Sequence, residues 1–215
     1  MSERGSRPAI SPWVWVAAFL VAGTVLAIAY KTLRSVPPPS TSAHLERISE
    51  VPPFELRDQN NRSVTRDSLK GKVWVAHFVF TRCKGPCPLT TSRMQELDTK
   101  LKKVRKDVQL VSFTVDPEYD TPSVLKDYAA LVGASDGWTF LTGQPSSMQD
   151  LIVKGLLQPI AKEPDGTPAH STRLVIVDRE GWLRGYQDGI DPEVVQKLMV
   201  DLGEILREPA TAPSR

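Results

Sequence analysis

Cysteine is scarce in this 215-residue chain: Cys83 and Cys87 are the whole complement. Two cannot build the multi-bridge framework that staples a small secreted domain, and a bridge between neighbours this close would enclose too short a loop to stabilise a fold much. Histidine is almost as rare, with His44, His77 and His170 the full set. There is also no block of Lys and Arg interleaved with aromatics. Net charge is only +2 and the basic residues are spread through the chain, so no nucleic-acid footprint is visible. What remains is an ordinary composition, 40% hydrophobic and 24% charged, which suits one globular domain with one core.

One apolar run stands apart from that domain. Residues 13–30 carry no charge, and their length approaches the roughly 20 residues a helix needs to cross the hydrocarbon core. Trp13, Trp15 and Tyr30 lie at its ends, where amphipathic rings prefer the headgroup boundary. The expectation is a transmembrane anchor at 13–30, preceded by a short N-terminal segment at 1–12. Ala27-Ile28-Ala29 also resembles a signal-peptide cleavage site, but the run exceeds the roughly 7–15 residues of a signal core, which favours an uncleaved anchor. Arg4 and Arg7 before it and Lys31 and Arg34 after it leave the orientation tied. Pro37-Pro38-Pro39 and Pro52-Pro53 then mark 31–53 as an extended linker.

The folded domain is expected at 54–207, with 208–215 a flexible tail. It opens with a short strand at 54–56 and a turn at 58–61. The run Val73-Trp74-Val75-Ala76-His77-Phe78-Val79-Phe80 then reads as a buried central strand. Pro88 suits the first position of a helix, and Leu89, Met94, Leu97, Leu101 and Val104 recur at helical spacing. A second apolar strand, 108–115, ends in Asp116-Pro117, and Thr121-Pro122 opens another helix through Leu131. A run at 138–141, a helix near 146–154 and a polar loop at 159–168 follow. Strands at 174–178 and 182–186 form a hairpin around Arg179-Glu180-Gly181, and a helix from Asp191-Pro192 to about Arg207 closes the domain. A βαβ half followed by a ββα half is the thioredoxin-like arrangement: an α/β fold with a central mixed sheet flanked by helices.

Cys83 and Cys87 therefore sit between a buried strand and a helix start. Their spacing lets both sulfurs point one way, and unpaired N–H groups at the helix end favour thiolates, as would Arg82 and Lys84. Such a pair serves disulfide exchange or capture of a soft metal ion. Three intervening residues give a wider bite than the familiar redox spacing of two, which tilts the reading towards metal without settling it. Of the histidines, His44 lies in the linker and reads as solvated. His77 interrupts the buried strand and reads as a hydrogen-bonded core residue, with the alternative that it points to the cysteine end. His170 stands at the end of a Pro- and Gly-bearing loop, just before the hairpin, which a thioredoxin-like fold brings beside the cysteine helix. Asp116 and Asp120 either lie near the site or serve as turn and cap residues.

Gly71-Lys72-Val73-Trp74, the Phe80-Thr81-Arg82-Cys83 and Cys87-Pro88 segments, Val115-Asp116-Pro117, Asp120-Thr121-Pro122 and His170-Ser171-Thr172 followed by Val177-Asp178 and Gly181 resemble the Sco/SenC family of copper proteins. The resemblance runs from about Phe54 to Arg207 and implies that Cys83, Cys87 and His170 hold one copper ion, Cu(I) and also Cu(II). It further implies a metallochaperone that turns over no substrate and assists assembly of the dinuclear CuA centre of cytochrome c oxidase subunit II, directly or through a copper-relay protein. Oxidase copper sites are loaded outside the membrane, so the resemblance implies a bacterial cytoplasmic-membrane protein with a cytoplasmic N-terminus at 1–12 and its domain in the periplasm. Met1-Ser2-Glu3-Arg4-Gly5-Ser6-Arg7 is short and holds an acid, unlike a mitochondrial transit peptide. The alternative is a tethered thiol–disulfide reductase that keeps the acceptor's cysteines reduced. Family members usually carry Pro-Asp between the cysteines, where this chain has Lys84-Gly85-Pro86. A peroxide-reducing relative would need a Thr-x-x-Cys context, and Thr81 stands one residue too close to Cys83.

Overall fold

The computed structural model describes residues 21–24, 45–83, 85, 87–162 and 168–209. The chain divides into two compact units, 1–43 and 44–215. Of the first, residues 21–24 are helical; the remainder of the expected anchor at 13–30 lies outside the described residues, as do 1–12, His44 and 210–215. Among the described residues no helix is long and apolar enough to cross a membrane.

The second unit is built on an eight-stranded mixed sheet. In chain order its elements are β1 (Ser49–Glu50), β2 (Glu55–Asp58), β3 (Ser63–Thr65), β4 (Val73–Val79), α1 (Cys87–Lys100), β5 (Val108–Thr114), α2 (Pro122–Leu131), β6 (Trp138–Thr142), α3 (Pro145–Asp150), β7 (Ile160–Lys162), β8 (Pro168–His170), β9 (Arg173–Val177), β10 (Trp182–Asp188) and α4 (Val194–Arg207). Across the sheet the order is β1-β10-β9-β4-β5-β6-β2-β3, and β7 and β8 form a separate hairpin. Strands β4, β5 and β6 are parallel, with Val73 opposite Val108 and Leu110 opposite Trp138; β9 returns antiparallel beside β4. This is the expected thioredoxin-like βαβ and ββα pairing.

β4 sits at the centre, and all seven of its residues are buried. A strand covered on both faces needs apolar side chains on both, which is why its sequence does not alternate. Val73, Val75 and Val79 face a cluster that includes Met94 and Leu97 of α1, Leu125 of α2 and Leu198 and Leu202 of α4. Trp74, Ala76 and Phe78 face the other way, towards Phe113, Met148 and Ile152. Thr121 caps α2 with its side-chain oxygen accepting from the Val124 N–H, and Pro122 follows at a position whose N–H has no helical partner to lose.

Four boundaries differ from the sequence expectation. The linker does not extend to residue 53: Ser49–Glu50 pair with Leu183 and Trp182, and Val51 is fully buried. The open edge of β10 takes up this segment as a strand, while Pro52-Pro53 ends the pairing. The loop at 159–168 is partly a hairpin, with Ile160 opposite His170 and Lys162 opposite Pro168. α1 begins at Cys87, one residue earlier than Pro88, so Thr90 and Thr91 turn inward and Leu89 is exposed. Glu208, assigned to the tail, is held by the Arg184 guanidinium at 2.6 and 2.8 Å.

Candidate metal centre

The turn after β4 is fastened before it reaches the first cysteine. Thr81 donates its N–H and its hydroxyl to the Asp120 carboxylate, which also accepts the Thr114 hydroxyl at the end of β5. Asp120 is fully buried, and burial pushes its carboxyl above the usual range while the Thr114 and Thr81 donors pull it back. The Cys83 N–H then closes a turn onto the Phe80 carbonyl at 3.1 Å. Cys83 is half-buried, and Cys87, at the first position of α1, is 1% exposed.

His170 arrives from the far side on β8. Its Nε2 lies 3.1 Å from Cys87 Sγ, and the ligand atoms of Cys83, Cys87 and His170 all lie within 4.8 Å of one another. Nδ1 is 2.9 Å from the Ser171 carbonyl, which can only accept, so the ring proton is on Nδ1 and the Nε2 lone pair faces the sulfurs. Phe80 packs edge-on against the imidazole, with centroids 5.8 Å apart. Burial lowers the His170 pKa, with the Ser171 carbonyl only partly offsetting it, and the ring is held neutral as a metal ligand requires. The three residues fit a soft, low-coordinate ion: two thiolates and an imidazole suit Cu(I) and fall short of the four ligands of a structural zinc.

The electrostatics correct one expectation. The buried setting of Cys87 does not activate its thiol. Burial pushes the Cys87 thiol up and the adjacent Cys83 adds to it, while backbone groups of Phe80 and Cys87 pull the other way with smaller effect. Arg82 is committed elsewhere, 2.6 Å from the Asp116 carboxylate and 4.0 Å over the Tyr119 ring. Lys84 and Pro86 lie outside the described residues. Asp116 and Asp120, weighed as site or turn residues, thus act on the two residues that precede Cys83.

His77 does not join the donor group. It is 1% exposed, with its ring nitrogens 3.1 Å from Ser112 Oγ and 3.1 Å from Thr90 Oγ1, the hydrogen-bonded core role read from the sequence. Access to the thiols is through a cleft of about 260 Å³ that Cys83, Cys87, Tyr128 and Leu131 help to line. Nothing in the local sequence pattern singles out Tyr128 beyond its place on α2, seven residues past the Thr121 cap.

A thioredoxin-like sheet whose strand-to-helix turn presents two sulfurs to a histidine defines a thiol- and soft-metal-handling protein of that fold. Residues 42–201 match the SCO1/SenC family model, and the chain belongs to that family. It is 36% identical over 156 residues to the SCO1 protein homolog of Bacillus subtilis, covering 71% of this chain and 81% of that one. A solved structure of BsSco, described as a member of the Sco family of cytochrome c oxidase assembly proteins with a disulfide switch, superposes with a TM-score of 0.65 at 36% identity, covering 73% and 92% of the two chains. Bradyrhizobium japonicum ScoI with copper bound gives a TM-score of 0.63 at 26% identity, covering 73% and 99%.

Proposed function

We propose that this protein is a membrane-anchored copper metallochaperone that holds one copper ion, Cu(I) and also Cu(II), through Cys83, Cys87 and His170. It hands the ion to the CuA centre of cytochrome c oxidase subunit II, or to a copper-relay protein that serves it. The observation that carries this reading is the convergence of two sulfurs and an unprotonated imidazole nitrogen within 4.8 Å, drawn from two elements 83 residues apart. Copper is the cargo. Loading displaces the thiol protons of Cys83 and Cys87. Cys87 and His170 grip from the buried side, and Cys83, the more exposed sulfur, is the one an acceptor thiolate reaches first. The uncharged run at 13–30 supports a single-pass anchor in a bacterial cytoplasmic membrane, with the domain in the periplasm.

A second reading rests on the same sulfurs. Both cysteines are free and within reach of one another, so the pair can also reduce a disulfide of the copper acceptor. His170 separates the two. The anaerobically reduced protein should bind one Cu(I) per chain, and His170→Ala should lower that affinity by roughly 10-fold or more while leaving disulfide exchange intact. A His170→Ala protein that binds copper as the wild type does would contradict the three-ligand site.

A further inference from the structure

The core beneath α1 carries a polar line that packing does not call for. On the face of β4 where Val73, Val75 and Val79 are apolar, His77 is 1% exposed, and Ser112 of β5 and Thr90 of α1 are fully buried beside it. Hydrogen bonds join these groups end to end. Trp138 Nε1 is 2.8 Å from Ser112 Oγ, Ser112 Oγ is 3.1 Å from His77 Nδ1, His77 Nε2 is 3.1 Å from Thr90 Oγ1, and Thr90 Oγ1 is 3.1 Å from the Cys87 carbonyl.

Both ends fix the direction of every link. An indole N–H can only donate and a carbonyl can only accept. Thr90 has one hydroxyl hydrogen and gives it to the Cys87 carbonyl, so its oxygen accepts from His77 Nε2–H. The other ring nitrogen, Nδ1, then accepts the Ser112 hydrogen, and Ser112 Oγ accepts from Trp138. Each donor is used once and one tautomer of His77 is selected. No link can be reversed without leaving a buried polar group unpaired, which makes the line a stiff unit. It crosses three strands and ends on the first residue of α1, whose sulfur faces His170 Nε2 at 3.1 Å.

We propose that His77 is a positioning residue for the two-cysteine site, fixing the first turn of α1 through Thr90 and with it the place of the Cys87 sulfur. The inference rests on the reading of Cys83, Cys87 and His170 as the working site. A residue with only a packing role could be replaced by Phe at little functional cost. A positioning role requires one acceptor and one donor at that point, and Gln supplies both.

The test uses the full-length chain and its His77→Phe, His77→Gln and Thr90→Val variants. Two quantities are measured: the Cys83–Cys87 dithiol–disulfide equilibrium of the metal-free protein against a dithiothreitol buffer, and Cu(I) affinity by competition with a chromogenic chelator. His77→Phe is expected to weaken Cu(I) binding by roughly 10-fold or more and to shift the disulfide equilibrium by a comparable factor, and His77→Gln to return both towards wild type. A folded His77→Phe protein with both quantities unchanged overturns the proposal, as does a Gln variant no better than Phe. Should the Phe variant fail to fold, Thr90→Val keeps the shape, removes the link to Cys87 and decides on the same two readings. If the wild type itself binds no Cu(I), the metal reading has failed, and the disulfide equilibrium still decides the role of His77.

Discussion

Lowering the pH from 7 to 5 should cost this fold about 2 kcal/mol through His77 alone. Burial is the main cause of its low pKa, about 3, and the neighbouring His170 adds to it. In the unfolded chain the same ring titrates near its ordinary 6.5. Above pH 6.5 both states hold it neutral and there is no penalty. Below that, the unfolded chain takes up a proton that the folded core refuses, so stability falls as pH drops towards 3 and the penalty then levels off. One pKa unit is worth about 1.4 kcal/mol, and pH 5 lies about one and a half units below the unfolded value, which gives the figure above. The assay is urea unfolding of the full-length protein followed by the fluorescence of buried Trp74 and Trp138, wild type beside His77→Gln. Other groups titrate in both proteins, so the quantity of interest is the difference between the two pH dependences. If wild type and His77→Gln lose the same stability between pH 7 and pH 5, the ring is not held neutral by the core and the reasoning fails.

Iodoacetamide at neutral pH should label Cys83 well before Cys87, because Cys87 is buried and its thiol is pushed up; equal rates by mass spectrometry would contradict that order. Asp120→Asn should destabilise the protein by about 1–3 kcal/mol in urea, since an amide cannot accept from the Thr81 N–H, the Thr81 hydroxyl and the Thr114 hydroxyl without turning its own N–H groups towards a donor. Arg184→Ala should cost about 1–3 kcal/mol in the same measurement and leave Cu(I) binding unchanged, because it removes the guanidinium that bridges buried Asp178 and part-exposed Glu208 while Arg47 stays beside Asp178.

The architecture was legible where burial is strongest. β4 and β5 are covered on both faces, so their apolar runs announce them, and Thr121-Pro122 marks the start of α2 to the residue. Short edge elements were not. Ser49–Glu50 has no alternation to read, and β7 and β8 are three residues each, β8 opening on a proline, so only their partners make them strands. Of the site, the two cysteines declared themselves by position, whereas His170 depended on the family resemblance. Its approach to Cys87 depends on β8 pairing with β7, a contact no local pattern encodes. Arg82 shows the limit most clearly. Sequence proximity to Cys83 suggested a thiolate partner, but Asp116, 34 residues away, takes the guanidinium. The burial of Cys87 likewise outweighs the helix-end effect that the sequence suggested, because desolvation of a charge exceeds the pull of a few N–H dipoles.

X-ray absorption at the copper edge of the Cu(I)-loaded protein tests the central claim most directly. Two sulfur scatterers and one nitrogen are expected in the wild type, with the nitrogen lost in His170→Ala. A wild-type spectrum with sulfur alone, or one that His170→Ala leaves unaltered, would contradict a site built from Cys83, Cys87 and His170.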